Sequence, residues 1–281
     1  MPRLTDFLRG YPPFEEILAR DGVEAAVPTF IHAYVTAGVL RRAPWRERAL
    51  LVVAPNQDVA GEMAHELTLY CPDRVVVQLP PRGVWYGSEG EVHAPVAGRR
   101  ARVIAALQPM MIAEQGPPVV VSEASTLMES VVLPPAAPSA VYARGRHDFE
   151  DLVRKLAALG YTRVDQVEDA GDFSVRGGII DVFPSTESHP VRIEFWGDEV
   201  ESLRRFSVYS QRSLGPLPSV RLYAAAEEPG AGPVSVLSLL PEGTRVVRTD
   251  PARAGARVEA FQSDMADVLG EAAGDEYMRW P

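Results

Sequence analysis

The sequence predicts an α/β fold in which a parallel-sheet domain is split by an inserted α+β domain with an antiparallel sheet. The apolar runs Ala49–Ala54 and Pro118–Ser122 are typical of strands covered on both faces of a parallel sheet. The proline-dense stretch Pro134–Pro138 supports neither helix nor central strand and marks a boundary. Beyond it, Val191–Trp196 alternates apolar with polar residues, as half-buried antiparallel strands do.

Strands and helices alternate in the first segment. Asn56 follows the first apolar run and is placed to cap a helix that extends to Tyr70. A short strand at Val75–Val77 and a helix from about Arg99 to Leu107 come before the second apolar run. This order indicates a parallel sheet with crossover helices.

The middle segment has the pattern of an α+β unit. Asp148–Leu159 shows helical spacing of apolar residues, and Gly160 is placed as its C-terminal cap. Ala170-Gly171 is a turn signal between two strand-like runs, which predicts a hairpin, and Gly197-Asp198 predicts another.

The α/β pattern is predicted to return from about Gln211. Thr244–Arg248 reads as a strand, and Asp250-Pro251 is a strong start signal for a helix through Leu269. We therefore predict three segments: residues 1–133 and 212–281 as the two parts of the α/β domain, and residues 134–211 as the insertion.

Composition excludes several functions. The 281 residues carry a net charge of −10, which argues against binding of nucleic-acid phosphates as the main function. Cys71 is the only cysteine and the five histidines form no HExxH pattern, so neither a metal nor a cofactor is expected. No apolar run approaches the roughly 18 residues that span a membrane. Cytoplasmic localisation is therefore expected.

The only lysine, Lys155, has no glycine loop before it. A phosphate-binding P-loop needs GxxxxGK[ST] with its lysine on the phosphates. The chain is therefore predicted to hold no NTPase site and no catalytic residues.

Residues 160–214 resemble the UvrB-homology stretch of bacterial transcription-repair coupling factors (Mfd). The specific blocks are GYTRVDQVE, SVRGGIIDVFP, VRIEFWGDEVESLR and SQRSL, in that order. The resemblance implies a UvrB-like, helicase-like architecture whose nucleotide site is degenerate. Where UvrB carries its phosphate loop, residues 23–30 (VEAAVPTF) offer no glycine-rich turn.

The resemblance also implies partners. The middle unit of such proteins is the platform that binds UvrA, so the expected function is to dock this repair subunit and recruit repair to stalled transcription complexes. Other domains of the full-length factor, an ATP-dependent DNA translocase, are expected to contact the chain intramolecularly. RNA polymerase and DNA are expected to bind only through domains absent here, and we expect the chain to be an N-terminal fragment.

Three residues are predicted to contact UvrA: Arg163, Arg176 and Phe183. The arginines occupy the arginine positions of the family's GY-x-R and VRG elements, and arginine suits bidentate contact with carboxylates. The alternative is that each arginine pairs with a local acid such as Asp165 or Asp172. Phe183 could be an exposed anchor or a core residue that closes the sheet edge. UvrB has a further arginine where this chain has Ser174, which weakens or replaces that part of the contact.

Three other functions stay open. The chain could hold DNA directly or regulate the full-length factor, although it lacks an aromatic hairpin with interleaved basic residues. A degenerate nucleotide-binding enzyme is a third possibility, which the single misplaced lysine disfavours.

Overall fold

The structure, a computed structural model, describes residues 4–20, 22–43, 45–84, 91–227 and 234–269. It is a mixed α/β protein with a parallel sheet and separate antiparallel sheets. The chain forms two compact units. Unit 1 comprises Met1–Pro81, Ala106–Ser130 and Ser235–Pro281, and unit 2 comprises Arg82–Ala105 and Val131–Val234. The three-segment division derived from the sequence stays a prediction.

The parallel sheet of unit 1 has four strands: β1 (Leu50–Ala54), β2 (Val76–Leu79), β3 (Val119–Glu123) and β14 (Arg245–Arg248). Their order is β14-β1-β3-β2, and each neighbouring pair is parallel. Every residue of β1 and β3 is buried, as the continuous apolar runs predicted.

Seven α-helices are found among the described residues: α1 (Pro12–Ala19), α2 (His32–Leu40), α3 (Gln57–Tyr70), α4 (Ala94–Ala106), α5 (Pro109–Gln115), α6 (Phe149–Ala158) and α7 (Pro251–Leu269). The caps predicted at Asn56 and Gly160 are confirmed. The side chain of Asn56 accepts a hydrogen bond from Val59 N at 2.9 Å. Asp148, which the sequence analysis did not single out as a cap, accepts one from Asp151 N at 2.7 Å. Gly160 after α6 has a φ of 79°, a left-handed conformation that favours glycine.

The largest sheet of unit 2 has six strands: β6 (Thr162–Arg163), β7 (Asp172–Arg176), β8 (Ile179–Val182), β9 (Val191–Trp196), β10 (Glu199–Phe206) and β11 (Ser213–Pro216). They follow the order β11-β10-β9-β8-β7-β6. Two small sheets pair β5 (Ser139–Tyr142) with β12 (Ser219–Leu222) and β4 (Ser130–Val131) with β13 (Val234–Ser235).

The six-stranded sheet has an inner and an outer face. On the inner face, residues such as Ile180 and Ile193 pack with Leu152 and Leu156 of α6 in one hydrophobic core. Paired residues of neighbouring strands share a face, so the strand register defines the outer face. It consists of Ser174, Arg176, Ile179, Asp181, Arg192, Glu194, Trp196, Ser202 and Arg204. The alternation predicted for Val191–Trp196 is confirmed, since its residues are alternately buried and solvent-accessible.

Three details of the sequence prediction are wrong. The predicted hairpin around Ala170-Gly171 does not form, because β6 has only two residues and runs parallel to β7. The predicted helix from Arg99 begins five residues earlier, at Ala94, since proline is tolerated in a first turn. The α/β pattern does not return at Gln211, because β11 and β12 both pair antiparallel.

Candidate protein-docking face

The three predicted contact residues lie on neighbouring strands of the six-stranded sheet. Arg163 is in the edge strand β6, Arg176 ends β7, and Phe183 follows β8 directly. Arg163 pairs with Phe173 in the β6–β7 register. The structure therefore brings residues that are 20 positions apart in the chain to one edge of one sheet.

Arg163 and Arg176 are both exposed and line the same shallow concavity. Arg176 Nη2 donates a hydrogen bond to the backbone carbonyl of Asp165. Within the described residues, neither arginine forms an ion pair with a carboxylate, and the side chain of Arg163 makes no hydrogen bond. Both guanidinium groups thus keep donors that no acid of this region occupies.

Asp165 and Asp172, the acids proposed as alternative partners of the arginines, make other contacts. Asp172 Oδ2 accepts hydrogen bonds from the backbone N–H groups of Glu168 and Asp169 at 3.1 and 2.9 Å. Asp165 meets Arg176 through its carbonyl oxygen and not through its carboxylate. Pairing of the two arginines with these carboxylates is therefore not observed.

Phe183 is half-buried. Its N–H donates to Asp172 O and its carbonyl accepts from Gly171 N, both at 2.9 Å, so its backbone extends the β7–β8 pairing. The placement of its side chain on the face of Ile179 and Asp181 stays a prediction, because Phe183 lies outside β8 and the strand register ends at Val182. Part of the ring remains accessible to a partner.

Ser174, which the sequence analysis placed at an arginine position of UvrB, is 3% exposed and lies opposite Asp181 in the register. Arg192 binds that acid from the other side, with Nε at 2.6 Å and Nη2 at 2.7 Å from the two carboxylate oxygens. The hydrogen bond with Asp181 raises the pKa of Arg192. The acid that an arginine at position 174 would face is thus already bound in both oxygens.

A second ion pair lies beside the first. Arg204 donates from both Nη atoms to the carboxylate of Glu194, at 2.5 and 2.8 Å, and Ser202 Oγ donates to the same carboxylate at 2.5 Å. Hydrogen bonds from Arg204 and then Ser202 lower the pKa of Glu194. Both side chains are partly exposed, so the pair is positioned at the surface of the outer face.

The sequence analysis did not single out these paired charges. Alternation in β9 predicted that Arg192 and Glu194 share a face, but it could not pair them with residues of β8 and β10. That pairing depends on the strand order and register, which bring Asp181 opposite Arg192. The charged residues of β9 were the only sign of these ion pairs in the sequence, and the partners of those residues follow only from the pairing of neighbouring strands.

Other site types find little support in the described parts of the chain. The described residues contain no group of three histidine, cysteine, aspartate or glutamate side chains that could hold a metal ion. None of the helices described there is long and apolar enough to cross a membrane. In unit 1, a cavity of about 560 Å³ beside β14 is lined in part by Val23, Glu24 and Val27.

Comparison with known proteins assigns relatives to both the middle segment and most of the chain. Residues 143–227 match the family described as the UvrB interaction domain. The transcription-repair-coupling factor of Mycobacterium tuberculosis is 34% identical over 230 residues, which are 79% of this chain and 18% of that protein. The same factor of Bacillus subtilis is 32% identical over 185 residues, 64% of this chain and 15% of that protein.

A second kind of relative is UvrABC system protein B of Thermotoga neapolitana, 25% identical over 235 residues, which are 73% of this chain and 32% of that protein. The resemblance to transcription-repair-coupling factors, predicted from the sequence, is thus confirmed over most of the chain. The chain spans less than a fifth of the length of the coupling factors that it matches. These relatives support a role in DNA repair.

Proposed function

We propose that this chain, whose relatives are transcription-repair-coupling factors and UvrABC system protein B, is a docking module that binds UvrA through unit 2. The contact would centre on Arg163, Arg176 and Phe183 at the β6–β8 edge of the six-stranded sheet. Its task would be to recruit the nucleotide-excision-repair machinery to stalled transcription complexes.

The observation that carries this proposal is the state of the two arginines. Both are exposed at one concavity, and within the described residues neither is paired with a carboxylate. A planar guanidinium group with unused donors is suited to bidentate bonds with the carboxylates of a partner. A half-buried aromatic residue directly after the neighbouring strand β8, Phe183, adds the apolar component that docking contacts usually contain.

The neighbouring ion pairs support a rigid surface. Asp181–Arg192 and Glu194–Arg204 each join two adjacent strands through two hydrogen bonds. Cross-strand ion pairs of this geometry restrict the rotamers of these side chains before a partner binds, so less conformational entropy is lost on binding. The docking face therefore needs little reorganisation when a partner arrives.

We do not assign an enzymatic activity to the chain. Lys155, its only lysine, lies in α6 of unit 2 and pairs with Asp151 at 2.7 Å, which is a surface ion pair. Residues 23–28 are irregular in structure and lack the glycine-rich turn that presents N–H groups to a phosphate. We therefore propose that unit 1 is a UvrB-like domain with a degenerate nucleotide site, split by the inserted segment.

The whole factor would add further partners. RNA polymerase and DNA would bind through domains outside this chain, and other domains of the factor would contact it and could cover the docking face. Direct DNA binding by the chain is the alternative function, against which the net charge of −10 argues.

The test is a calorimetric titration of the chain with UvrA, for wild type and for the variants Arg163→Ala and Arg176→Ala. We expect wild type to bind and each variant to lose about 1–3 kcal/mol of binding free energy, the range of interface contacts of this kind. Thermal melts should coincide, because both side chains are exposed.

Arg154→Ala is the matched control. This arginine is also exposed, but it lies on α6, which packs against the inner face, and it pairs only with Asp151. It should bind UvrA like wild type. A folded wild-type chain that does not bind UvrA would contradict the docking function, and steeply salt-dependent binding to DNA would favour the alternative.

A further inference from the structure

Trp196 is the most exposed tryptophan side chain that the structure describes, with 80% of its surface accessible. It ends β9 and stands at the turn Gly197-Asp198 that leads into β10. Burying a tryptophan against other apolar groups releases much ordered water, and this residue gains almost none of that stabilisation from its own fold. A large aromatic ring held in solvent at a defined position needs another explanation.

The turn that carries Trp196 is held firmly. Phe195 N donates a hydrogen bond to Gly178 O at 2.8 Å, which joins this turn to the neighbouring β7–β8 turn. A Cβ atom on Gly178 would lie 3.0 Å from Phe195 O, a tight contact, so glycine favours the close approach of the two turns. On the inner face, Phe195 packs edge-on against Phe149 with 5.2 Å between ring centroids.

The same register places Trp196 beside the predicted docking residues. Arg176 pairs with Ile179, which pairs with Glu194, and Trp196 lies two residues further along β9 on the outer face. Two strand spacings and one two-residue step put the Cα atoms of Arg176 and Trp196 about 12 Å apart. An ordinary protein interface, with about 800 Å² on each partner, covers both residues.

The surroundings of the ring indicate what it would meet. Asp198, the acid in its own turn, is near Arg146 at 3.7 Å, and the Glu194 carboxylate is bound by Arg204. Asp198 and Glu194 thus have basic partners within the chain, whereas Glu199, which lies opposite Trp196 in the register, is exposed and forms no ion pair among the described residues. A ring of this kind is suited to an apolar pocket, with any unmatched carboxylates of the partner lying toward the free arginines.

We propose that Trp196 is the apolar anchor of the docking face, inserted into an apolar pocket of the UvrA surface whose acidic side meets Arg176. This inference rests on the proposed function and adds to it a contact at the turn of β9 and β10. Tryptophan and arginine are the residues that most often dominate interface energies, and a preformed turn lowers the entropic cost of inserting one.

The test compares Trp196→Ala with Tyr209→Ala in calorimetric titrations of the 281-residue chain against UvrA. Tyr209 is fully exposed but lies in the turn beyond the far end of β10, which is about 24 Å long. We expect Trp196→Ala to weaken binding at least tenfold and Tyr209→Ala to leave it unchanged. Trp196→Phe should recover most of the affinity, because an aromatic ring still fills the pocket.

The outcomes separate this inference from the proposed function. If wild type binds, Arg176→Ala weakens binding and Trp196→Ala does not, the anchor is wrong and UvrA docking stands. If wild type does not bind UvrA, the docking function itself fails. Melts that coincide with wild type, expected for a side chain that is 80% exposed, exclude loss of folding as the cause of weakened binding.

Discussion

Replacing Glu227 by alanine should destabilise unit 2 strongly. The Glu227 carboxylate receives Arg100 Nε at 2.6 Å on one oxygen and Arg82 Nε at 2.8 Å on the other. The Arg100 side chain is fully buried and that of Glu227 is 4% exposed. This triad joins two arginines that precede the 143–227 match to the last residue of that match, within one unit.

The magnitude follows from burial. Each hydrogen bond to a charged group contributes about 1.5–3 kcal/mol, and removing one partner of a buried ion pair costs about 3–5 kcal/mol because a charge stays in a medium that solvates it poorly. Both considerations give a loss of about 3–5 kcal/mol for Glu227→Ala. Glu227→Gln should lose less, because the amide oxygen can still accept one of the two bonds.

Urea denaturation followed by circular dichroism measures this loss. Glu187→Ala is the matched control: it also removes a glutamate that pairs with an arginine, Arg205 at 3.3 Å, but 34% and 41% of the two side chains are exposed. That variant should lose only about 0.2–1 kcal/mol. If Glu227→Ala lost no more than the control, burial of the triad would not be the source of its stabilisation.

Three further predictions concern packing and pH. Gly98→Ala should cost about 1–3 kcal/mol in urea denaturation, because its Cβ would lie 2.3 Å from Ser185 Oγ, whereas Gly255→Ala, with open space in α7, should add up to about 1 kcal/mol. Hydrogen bonds from an arginine and a serine lower the pKa of Glu194. The stability that this carboxylate contributes is therefore present above its ordinary pKa of 4.5 and is lost as the pH falls through the lowered pKa. Glu194→Gln should flatten that part of the acid unfolding curve. Burial, and then a nearby lysine, lower the pKa of His147, so stability from its neutral ring is present above pH 6.5 and declines below it; an imidazole NMR titration with its midpoint at or above 6.5 would contradict this.

Much of the fold could be predicted because it depends on local patterns. The buried runs of β1 and β3, the cap at Asn56 and the glycine at position 160 each act over a few residues. Periodicity and capping chemistry are properties of short segments, so the sequence expresses them directly. The predicted hairpin at Ala170-Gly171 failed because a turn signal does not determine which strand pairs with which.

The candidate site could be predicted only in part. Arg163, Arg176 and Phe183 came from the resemblance to a family, and their role as contacts stays a prediction. The sequence left open whether the arginines pair with Asp165 or Asp172. In the structure, neither carboxylate pairs with these arginines. The Asp172 carboxylate accepts hydrogen bonds from backbone N–H groups of the loop before β7, and Asp165 contacts Arg176 through its carbonyl oxygen.

The sequence by itself determined the alternation of buried and accessible residues in β9, the single lysine outside any phosphate loop and the family resemblance. Only the tertiary structure decided that Arg192 binds Asp181, that Arg100 and Glu227 meet in the interior, and that Trp196 stands near Arg176. The physical reason is range. Periodicity and capping arise between neighbours in the chain, whereas ion pairs and surfaces depend on strand order and register, which form when distant segments pack together.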